Sequence, residues 1–384
     1  MILTHAWARV TKNARFKMKN LFDQTEINGL KLSNRFVRSA TWEGMATSDG
    51  EVTSRLVDVM IQLAKGGVGL IISSHAYVSK EGQAGIFQLG IHDDRLVPGL
   101  RKMASAVRKE GGKIVAQLAH AGFVANPELT GRTPLGVSQV EGFGDRERKV
   151  MTDQDIQDMI AAFTQAARRA KEAGFDGVQI HAAHGYLMNQ FLSPAFNKRT
   201  DGYGGPVGNR ARALLEALKN MREEVGERFP LLVKLNSEDY LEGGLTLQDS
   251  VKIGSLLEKA GLDAIELSGG TLLSGKLGPS RAGIKTEDKE AYFRDAARQF
   301  KKEVKIPIIL VGGVRSFHVA EKMVAEGYAD YVSMSRPFIR EPNLVNRWQS
   351  GDHGRAKCIS DNQCFRPGKT GEGVYCVAEM KRGN

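Results

Sequence analysis

Residues 153–181 read DQDIQDMIAAFTQAARRAKEAGFDGVQIH, and this stretch contains one complete unit of the pattern on which the fold prediction rests. Its first part is amphipathic and predicts a helix over Asp153–Ala173. The Ala-Gly pair at residues 173–174 is typical of a helix C-terminus, because glycine readily adopts the left-handed backbone conformation that ends a helix. The apolar run that follows, Gly177–His181, predicts a buried strand.

The same pattern of an amphipathic helix, a glycine and an apolar run recurs along most of the chain. Seven further strands are predicted at Phe36–Thr41, Gly69–Ser73, Lys113–Leu118, Leu231–Leu235, Ala264–Ser268, Ile306–Val311 and Tyr331–Ser335. Further helices are predicted at Ser54–Lys65, Asn209–Val225, Leu247–Lys259, Glu287–Glu303 and Val319–Glu326. Strands that alternate with helices form a parallel sheet, because each helix carries the chain back to the start of the next strand.

Eight strand–helix units close into a (β/α)8 TIM barrel, and we predict a single catalytic domain with this α/β fold. An open, doubly wound sheet is the alternative, but such a sheet usually carries a G-x-G-x-x-G motif after its first strand, and none follows Phe36–Thr41. We assign residues 18–350 to the barrel. Residues 1–17 are predicted to be a basic, disordered extension, and residues 351–384 a C-terminal tail.

Composition and charge exclude several classes of protein. With 41% hydrophobic and 26% charged residues among 384, the chain is neither disordered nor collagen-like. Its longest apolar run, residues 66–72, is too short to cross a bilayer. Three cysteines are too few for a disulfide framework and indicate a reducing compartment, so we expect a cytoplasmic protein. The net charge of +10 is mostly interleaved with acidic residues, so we expect anionic small ligands and no nucleic-acid or membrane partner.

Polar side chains that follow the predicted strands are candidate site residues, because barrel enzymes carry their active sites at the carboxyl ends of the strands. His181 is the last residue of the fourth predicted strand, and His184 and Tyr186 come just after it. Two imidazole N–H groups can stabilise an oxyanion, and a phenol can deliver a proton. The alternatives are structural histidines or a metal pair, although no third metal ligand is evident at a matching strand end.

The third and fifth strands each contain a polar residue in an apolar setting. Lys234 lies within LLVKLN at residues 231–236, and lysine is almost never buried without an anionic partner. It therefore points at a carboxylate inside the barrel or at a negative group bound in the barrel mouth. Gln117 has an amide that suits the edge of a heterocycle, or it bridges backbone groups.

The seventh and eighth strands end in sequences typical of a phosphate site. Gly312 and Gly313 let backbone N–H groups come close to a ligand, and the loops after these two strands are the usual phosphate site of TIM barrels. Arg336 adds a guanidinium group that matches phosphate oxygens. A glycine pair alone is more often only a turn, but together with Arg336 it predicts a phosphate-bearing ligand.

Longer motifs surround these candidate residues. They are HAAHGYLMNQFLSP at residues 181–194, NKRTDGYGG at 197–205, NRAR at 209–212, NRFV at 34–37 and QLAHAG at 117–122. With these motifs the chain resembles the Old Yellow Enzyme family of FMN-dependent oxidoreductases, in its bacterial NADH:flavin oxidoreductase branch. The resemblance extends over roughly residues 18–350, which is the whole predicted barrel.

The resemblance implies a non-covalently bound FMN that lies across the barrel mouth. The residues it assigns to FMN are Ser39, Ala40, Thr41, Ser74, Gln117, Lys234, Gly312, Gly313, Ser335 and Arg336. Within this set, Lys234 corresponds to the basic residue beside the flavin. His181 and His184 correspond to the pair that binds and orients the substrate, and Tyr186 to the proton donor. Trp42 stands where many relatives have cysteine or threonine, and we expect it to narrow the substrate pocket.

The resemblance also implies a reaction in two halves. NADH or NADPH gives a hydride to the flavin, which then reduces the C=C bond of a small α,β-unsaturated carbonyl compound. The alternative is an FMN-dependent dehydrogenase or demethylase that passes electrons to a partner protein. A third hypothesis, from a different class, is a lyase or isomerase barrel that binds a phosphate without redox chemistry. Because members of the family are often dimeric or tetrameric, the resemblance is compatible with a homo-oligomer.

All three cysteines lie in the tail, at Cys358, Cys364 and Cys376. Larger relatives carry an iron–sulfur motif of four cysteines here, and Asp361 stands where the second cysteine would be. Four thiolates are the norm for such a cluster. We interpret the three cysteines as the remnant of that motif and predict no metal. A cluster held by three thiolates and Asp361 is the alternative, and it would favour the electron-transferring dehydrogenase.

Overall fold

A computed structural model describes residues 19–140 and 147–380 of the protein. Eight parallel strands, numbered β1 to β8 along the chain, form a closed barrel. Their bounds are β1 Phe36–Arg38, β2 Leu70–Tyr77, β3 Ile114–Ala119, β4 Gly177–Ala182, β5 Leu231–Asn236, β6 Ala264–Ser268, β7 Ile308–Val311 and β8 Tyr331–Met334. Each strand pairs with the next, and β8 closes the barrel on β1 with Val332 opposite Phe36. The predicted TIM barrel and its eight strands are confirmed.

Helices follow the strands of the barrel. Their bounds are α1 Ser54–Lys65, α2 Val97–Lys109, α3 Asp153–Glu172, α4 Val207–Val225, α5 Leu247–Lys259, α6 Arg294–Glu303, α7 Phe317–Ala325 and α8 Leu344–Gln349. Shorter helices lie at Pro127–Thr130, Leu187–Leu192, Arg336–Arg340 and Val377–Met380. The sequence pattern predicted five of the barrel helices to within two residues at each end. Within the two described ranges, no helix is long and apolar enough to cross a membrane.

The helix predicted at Glu287–Glu303 is shorter in the structure, because α6 begins only at Arg294. Ala291 has a left-handed backbone with φ 49°, which interrupts the helix. This bend brings the carboxylate of the buried Glu290 to the loop before α7, where it accepts hydrogen bonds from two successive backbone N–H groups. A tertiary contact therefore overrides the helical pattern of the sequence.

A hairpin near the N-terminus closes the lower end of the barrel. Its strands, Thr25–Ile27 and Leu30–Leu32, were not predicted from the sequence. Ile27 and Leu32 pack against a buried apolar layer inside the barrel. That layer consists of Val37, Leu70, Ile72, Val115, Leu232, Ala264, Ile309 and Tyr331. Because this end is filled, the space for a ligand lies at the carboxyl ends of the strands.

The C-terminal tail packs against the mouth of the barrel. The Val374 N–H donates to the Glu43 carbonyl oxygen over 2.8 Å. The Arg336 guanidinium, just after β8, donates to the side-chain oxygen of Asn362 over 2.6 Å. The tail predicted at residues 351–384 thus contributes to the structure of the mouth as far as it is described. The extension predicted at residues 1–17 lies outside the described residues.

Candidate active site

A cavity of about 210 Å³ opens at the carboxyl ends of the strands. Eleven predicted site residues line it: Ser39, Ala40, Thr41, Trp42, His181, His184, Tyr186, Lys234, Gly313, Ser335 and Arg336. Three others, Ser74, Gln117 and Gly312, are not among the lining residues. Most of the residues that the sequence analysis singled out at separate strand ends therefore meet in one cavity.

The end of β4 carries three polar rings of the site. The ring centroids of His181 and His184 are 4.9 Å apart, and those of His181 and Tyr186 are 4.5 Å apart. His184 has a left-handed backbone with φ 66°, and its N–H donates to the side-chain oxygen of Asn236 in β5. Its Nε2 lies 2.8 Å from the hydroxyl oxygen of Ser268 in β6. Contacts with β5 and β6 therefore hold the backbone and the ring of His184 in place.

These rings are uncharged at neutral pH. Burial lowers the pKa of His181 and of His184 well below the usual value, and the neighbouring imidazoles and the positive charge of Lys234 lower both values further. Burial also raises the pKa of the Tyr186 phenol. Two neutral imidazoles and a protonated phenol can donate hydrogen bonds and a proton to a group that becomes negative.

Lys234 lies in a layer of buried polar side chains next to these rings. Its Nζ lies 2.9 Å from the Glu266 carboxylate of β6 and donates to the Ser39 hydroxyl over 2.8 Å. Glu266 also accepts hydrogen bonds from Gln179 and Ser333. Of the two partners that the sequence left open for Lys234, the structure contains the carboxylate. Lys234 also lines the cavity, where its positive charge is available to a ligand.

Glu266 and Gln179 were not predicted from the sequence, although the sequence contains an indication of Glu266. Glu266 lies in the apolar strand AIELS at residues 264–268, as Lys234 lies in LLVKLN, and a buried carboxylate requires a partner for the same reason. Gln117 donates to the side-chain oxygen of Gln179 over 2.7 Å. It therefore belongs to the same buried layer, and its contact with a flavin stays a prediction.

β2 contributes His75 rather than Ser74 to the cavity. Ile72 lies opposite Val115 of β3, but the next pair is His75 and Gln117, so β2 has one extra residue between these pairs. Such a β-bulge changes the direction of the side chains that follow it. Ser74, which the resemblance assigns to the flavin, is buried and does not line the cavity. The sequence pattern gave no indication of the bulge, and His75 was missed.

A second part of the cavity wall is cationic. Arg315 and Arg336 line it together with Gly313, whose φ of 73° and missing side chain allow a ligand to approach the backbone. The Nε atom of Arg315 is buried and has no hydrogen-bond partner among the described residues. The hydroxyl oxygens of Thr41 and Ser335 lie 2.6 Å apart in the same wall. An unpartnered guanidinium donor beside a glycine loop fits a phosphate group.

Taken together, the donor groups of the cavity fit FMN. The cofactor combines a polar heterocycle with a phosphate group. Lys234 and Ser39 offer donors of the kind that the heterocycle accepts, and Arg315 and Arg336 offer a cationic site for the phosphate. The residues present therefore match the cofactor that the resemblance implies.

The C-terminal tail supplies part of the cavity wall. Ser360 and Phe365 line the cavity. Gly368 packs so closely on Trp42 that a Cβ atom at Gly368 would lie 3.0 Å from the indole ring. Trp42 lines the cavity, and its narrowing of the substrate pocket stays a prediction. No site residue was predicted in the tail, because the prediction followed strand ends and the tail contains no strand of the barrel.

The tail cysteines do not form an evident metal site. Within residues 19–140 and 147–380, no group of three or more His, Cys, Asp or Glu side chains could hold a metal ion. Burial raises the pKa of Cys358, and it raises the pKa of Cys364 to about 12, so both thiols are protonated at neutral pH. That these cysteines and Asp361 hold no cluster stays a prediction from the sequence.

Comparisons with known proteins agree with this geometry. An NADH oxidase from Thermoanaerobacter brockii is 37% identical over 349 residues, which are 89% of this chain and 53% of the oxidase. An NADPH dehydrogenase from Geobacillus sp. (strain WCH70) is 37% identical over 325 residues, which are 84% of this chain and 91% of the dehydrogenase. The chain thus spans about half the length of the first relative and nearly all of the second.

A solved structure and a family model complete the comparison. The structure of an Old Yellow Enzyme homologue from Zymomonas mobilis superposes with a TM-score of 0.75 at 26% identity and covers 92% of this chain and 99% of that one. The model of the NADH:flavin oxidoreductase / NADH oxidase family matches residues 20–354. Since this match extends over the entire barrel, the chain belongs to the NADH:flavin oxidoreductase / NADH oxidase family, which includes Old Yellow Enzyme and its FMN-dependent relatives.

Proposed function

We propose that this protein takes a hydride from NADH or NADPH and reduces the C=C bond of small α,β-unsaturated carbonyl compounds. The observation that supports the proposal is the convergence of His181, His184 and Tyr186 on one cavity, with ring centroids 4.5 to 4.9 Å apart. An enone needs hydrogen-bond donors at its oxygen and a proton source near its α-carbon. These three side chains meet both needs.

FMN, when bound, supplies the hydride transfer between the nicotinamide and the substrate. The protein holds the substrate by its carbonyl oxygen, which accepts hydrogen bonds from the His181 and His184 side chains. As a hydride adds to the β-carbon, negative charge develops on that oxygen, and the two donors stabilise the enolate. Tyr186 then donates its phenolic proton to the α-carbon and is reprotonated by water. One hydride and one proton are consumed for each C=C bond.

The remaining assignments concern the cofactor. In this proposal Ser39 and Lys234 bind the heterocycle of FMN, and Gly313, Ser335 and Arg336 bind its phosphate. Lys234 is suited to this task because it is positively charged, buried and held between the Ser39 hydroxyl and the Glu266 carboxylate. The unpartnered Nε of Arg315 is a further donor for the phosphate.

The proposal is tested by measuring the two half-reactions separately in the variant His181→Ala/His184→Ala. FMN should stay bound and should be reduced by NADH or NADPH at close to the wild-type rate. Its reoxidation by cyclohexenone should slow by at least about a hundredfold, because one donor to an oxyanion is worth that much. Stopped-flow absorbance of the flavin follows both steps.

The matched control is His318→Ala, since His318 is an exposed imidazole on α7 that does not line the cavity. This variant should behave as the wild type in both half-reactions. An equal loss in both half-reactions of the double variant would contradict the proposed role and would assign the pair to the nicotinamide or to structure. Absence of any enone-dependent reoxidation in the wild type would contradict the proposed reaction itself.

A further inference from the structure

His75 is a third imidazole in the cavity, and the proposed reaction does not use it. Its ring centroid lies 6.3 Å from that of His181, with an angle of 19° between the ring planes, and 5.5 Å from that of Tyr186. The bulge in β2 puts this ring in the cavity wall, in the register position opposite Gln117. A polar ring directed toward reacting groups by an irregular strand requires a functional explanation.

Gln88 determines which nitrogen of His75 carries the proton. Gln88 is fully buried, and its Oε1 accepts hydrogen bonds from the backbone N–H groups of Ala84 and Gly85. The amide can therefore not be reversed, and its NH2 group faces His75. Nε2 of Gln88 lies 2.7 Å from Nδ1 of His75 and also donates to the His75 carbonyl oxygen. Because an NH2 group only donates, Nδ1 is the acceptor and the proton of the ring is on Nε2.

The N–H group thus fixed is left for a ligand. In the part of the chain that the structure describes, Nε2 of His75 makes no hydrogen bond to another residue, while the ring lines the cavity. Burial lowers the pKa of His75 to about 4, so the ring is neutral at physiological pH. His75 therefore presents one N–H donor of fixed direction, which does not change with pH in the neutral range.

We propose that His75, held by Gln88, is a specificity residue that donates its Nε2–H to a second acceptor oxygen of the substrate. The inference rests on the proposed function, in which His181 and His184 bind the first oxygen. The preferred substrates are then alkenes with a carbonyl group on each side, such as enediones. Once a substrate covers the His75 ring, a donor that finds no acceptor is left unsatisfied, which disfavours substrates with one carbonyl group. Gln88 is a positioning residue that acts through His75.

The tautomer is measured first, by NMR of the wild-type holoenzyme labelled with 15N-histidine. The signals of His75 are identified by their loss in His75→Phe. We expect a proton on Nε2, a lone pair on Nδ1, and no titration between about pH 6 and 8. A proton on Nδ1, or a titration in this range, would overturn the inference without bearing on the ene-reduction itself.

The variant Gln88→Glu reverses the hydrogen bond with almost no change of shape. The carboxylate still accepts from the two backbone N–H groups, but it can only accept from His75, so Nδ1 becomes protonated. The new negative partner raises the pKa of His75. Below this value the imidazolium keeps its Nε2–H, and above it Nε2 becomes an acceptor that repels a carbonyl oxygen.

The readout is the kcat/KM value for ketoisophorone divided by the kcat/KM value for the same ring without its second carbonyl group. In the wild type the ratio should not change between about pH 6 and 8. In Gln88→Glu it should fall about tenfold as the pH rises and recover as the pH is lowered, since one hydrogen bond is worth that much. In His75→Phe it should be about tenfold lower at every pH. His181, His184, Tyr186 and Lys234 are the titratable groups near His75, and they affect both substrates alike.

The control is Gln83→Glu, which makes the same charge change at a buried glutamine of the same loop. The Gln83 amide donates to the Gly85 carbonyl oxygen and has no hydrogen bond to His75. The variant Gln83→Glu should leave the ratio of kcat/KM values and its flat pH profile unchanged. Equal ratios in all variants, or the same pH effect in both glutamate variants, would overturn the proposed role of His75. Neither result would contradict the proposed function. If the wild type reduced neither compound, the proposed function would fail and this inference with it.

Discussion

At the scale of single residues, two glycines show how the fold distinguishes a structural position from a site position. Gly313 follows β7 with φ 73°, and Gly327 follows α7 with φ 74°. A Cβ atom at Gly313 would lie 2.8 Å from the Tyr292 ring, whereas one at Gly327 would meet no atom within 4 Å. The two positions share a positive φ and differ in the atoms that surround them.

This difference yields a prediction for Gly313→Ala. The left-handed backbone alone should cost about 1 to 2 kcal/mol in the free energy of unfolding, as it also would in the control Gly327→Ala. Gly313→Ala should lose about 1 to 3 kcal/mol more, because Tyr292 must move. FMN affinity should fall at least about tenfold in Gly313→Ala only. Urea denaturation and FMN titration measure both effects, and equal behaviour of the two variants would contradict the assignment of Gly313.

At the scale of elements, helix α3 depends on its first turn. The Thr152 hydroxyl accepts from the Asp155 N–H, and the Asp155 carboxylate accepts from the Thr152 N–H over 2.8 Å. Burial alone would raise the pKa of Asp155, but hydrogen bonds from Lys149 and Thr152 outweigh burial and lower it to about 2. The carboxylate therefore stabilises the fold in its charged form.

We accordingly predict that Asp155→Ala lowers the free energy of unfolding by about 1 kcal/mol at pH 7. The pKa of Asp155 is lower in the folded protein than the ordinary 3.8, so its contribution is complete above about pH 4 and disappears as the pH falls toward 2. The difference in the free energy of unfolding between Asp155→Ala and the wild type should therefore shrink as the pH is lowered over this interval. Urea denaturation at several pH values tests it, with Asp158→Ala of the same helix as the control. A difference independent of pH would contradict the role of the charge.

At the scale of the whole molecule, the C-terminal tail and the barrel form one site. Ser360 and Phe365 line the cavity, and Asn362 accepts a hydrogen bond from Arg336. The tail reaches back to the segment after β1, where Val374 donates to Glu43. The residues that enclose the proposed cofactor site therefore come from both the first and the last part of the described chain.

Deletion of residues 357–384 should thus weaken FMN binding at least about tenfold, because part of the cavity wall and the partner of Arg336 are lost. The barrel strands pair with one another and not with the tail, so the circular dichroism of the shortened protein should stay close to that of the wild type. FMN titration of the apoprotein measures the affinity. An unchanged dissociation constant, in a protein that remains folded, would exclude the tail from the site.

Much of the site could be predicted because β strands present their ends at one edge of a barrel. His184, Tyr186 and Arg336 follow predicted strands, His181 is the last residue of one, and the structure brings all four together in one cavity. Prediction failed where a contact distant in sequence decides the direction of a side chain. His75 lines the cavity because of a bulge against β3, which strand periodicity does not reveal.

The amino-acid sequence alone is enough to predict the barrel, since the alternation of apolar strands with amphipathic helices is a local pattern that every unit repeats. It also determined that Lys234 is buried next to a negative group. The three-dimensional fold is needed to show that this group is Glu266, that Gln88 orients His75, and that the tail completes the cavity. Hydrogen bonds and packing across different elements depend on register and loop geometry, which no local pattern specifies.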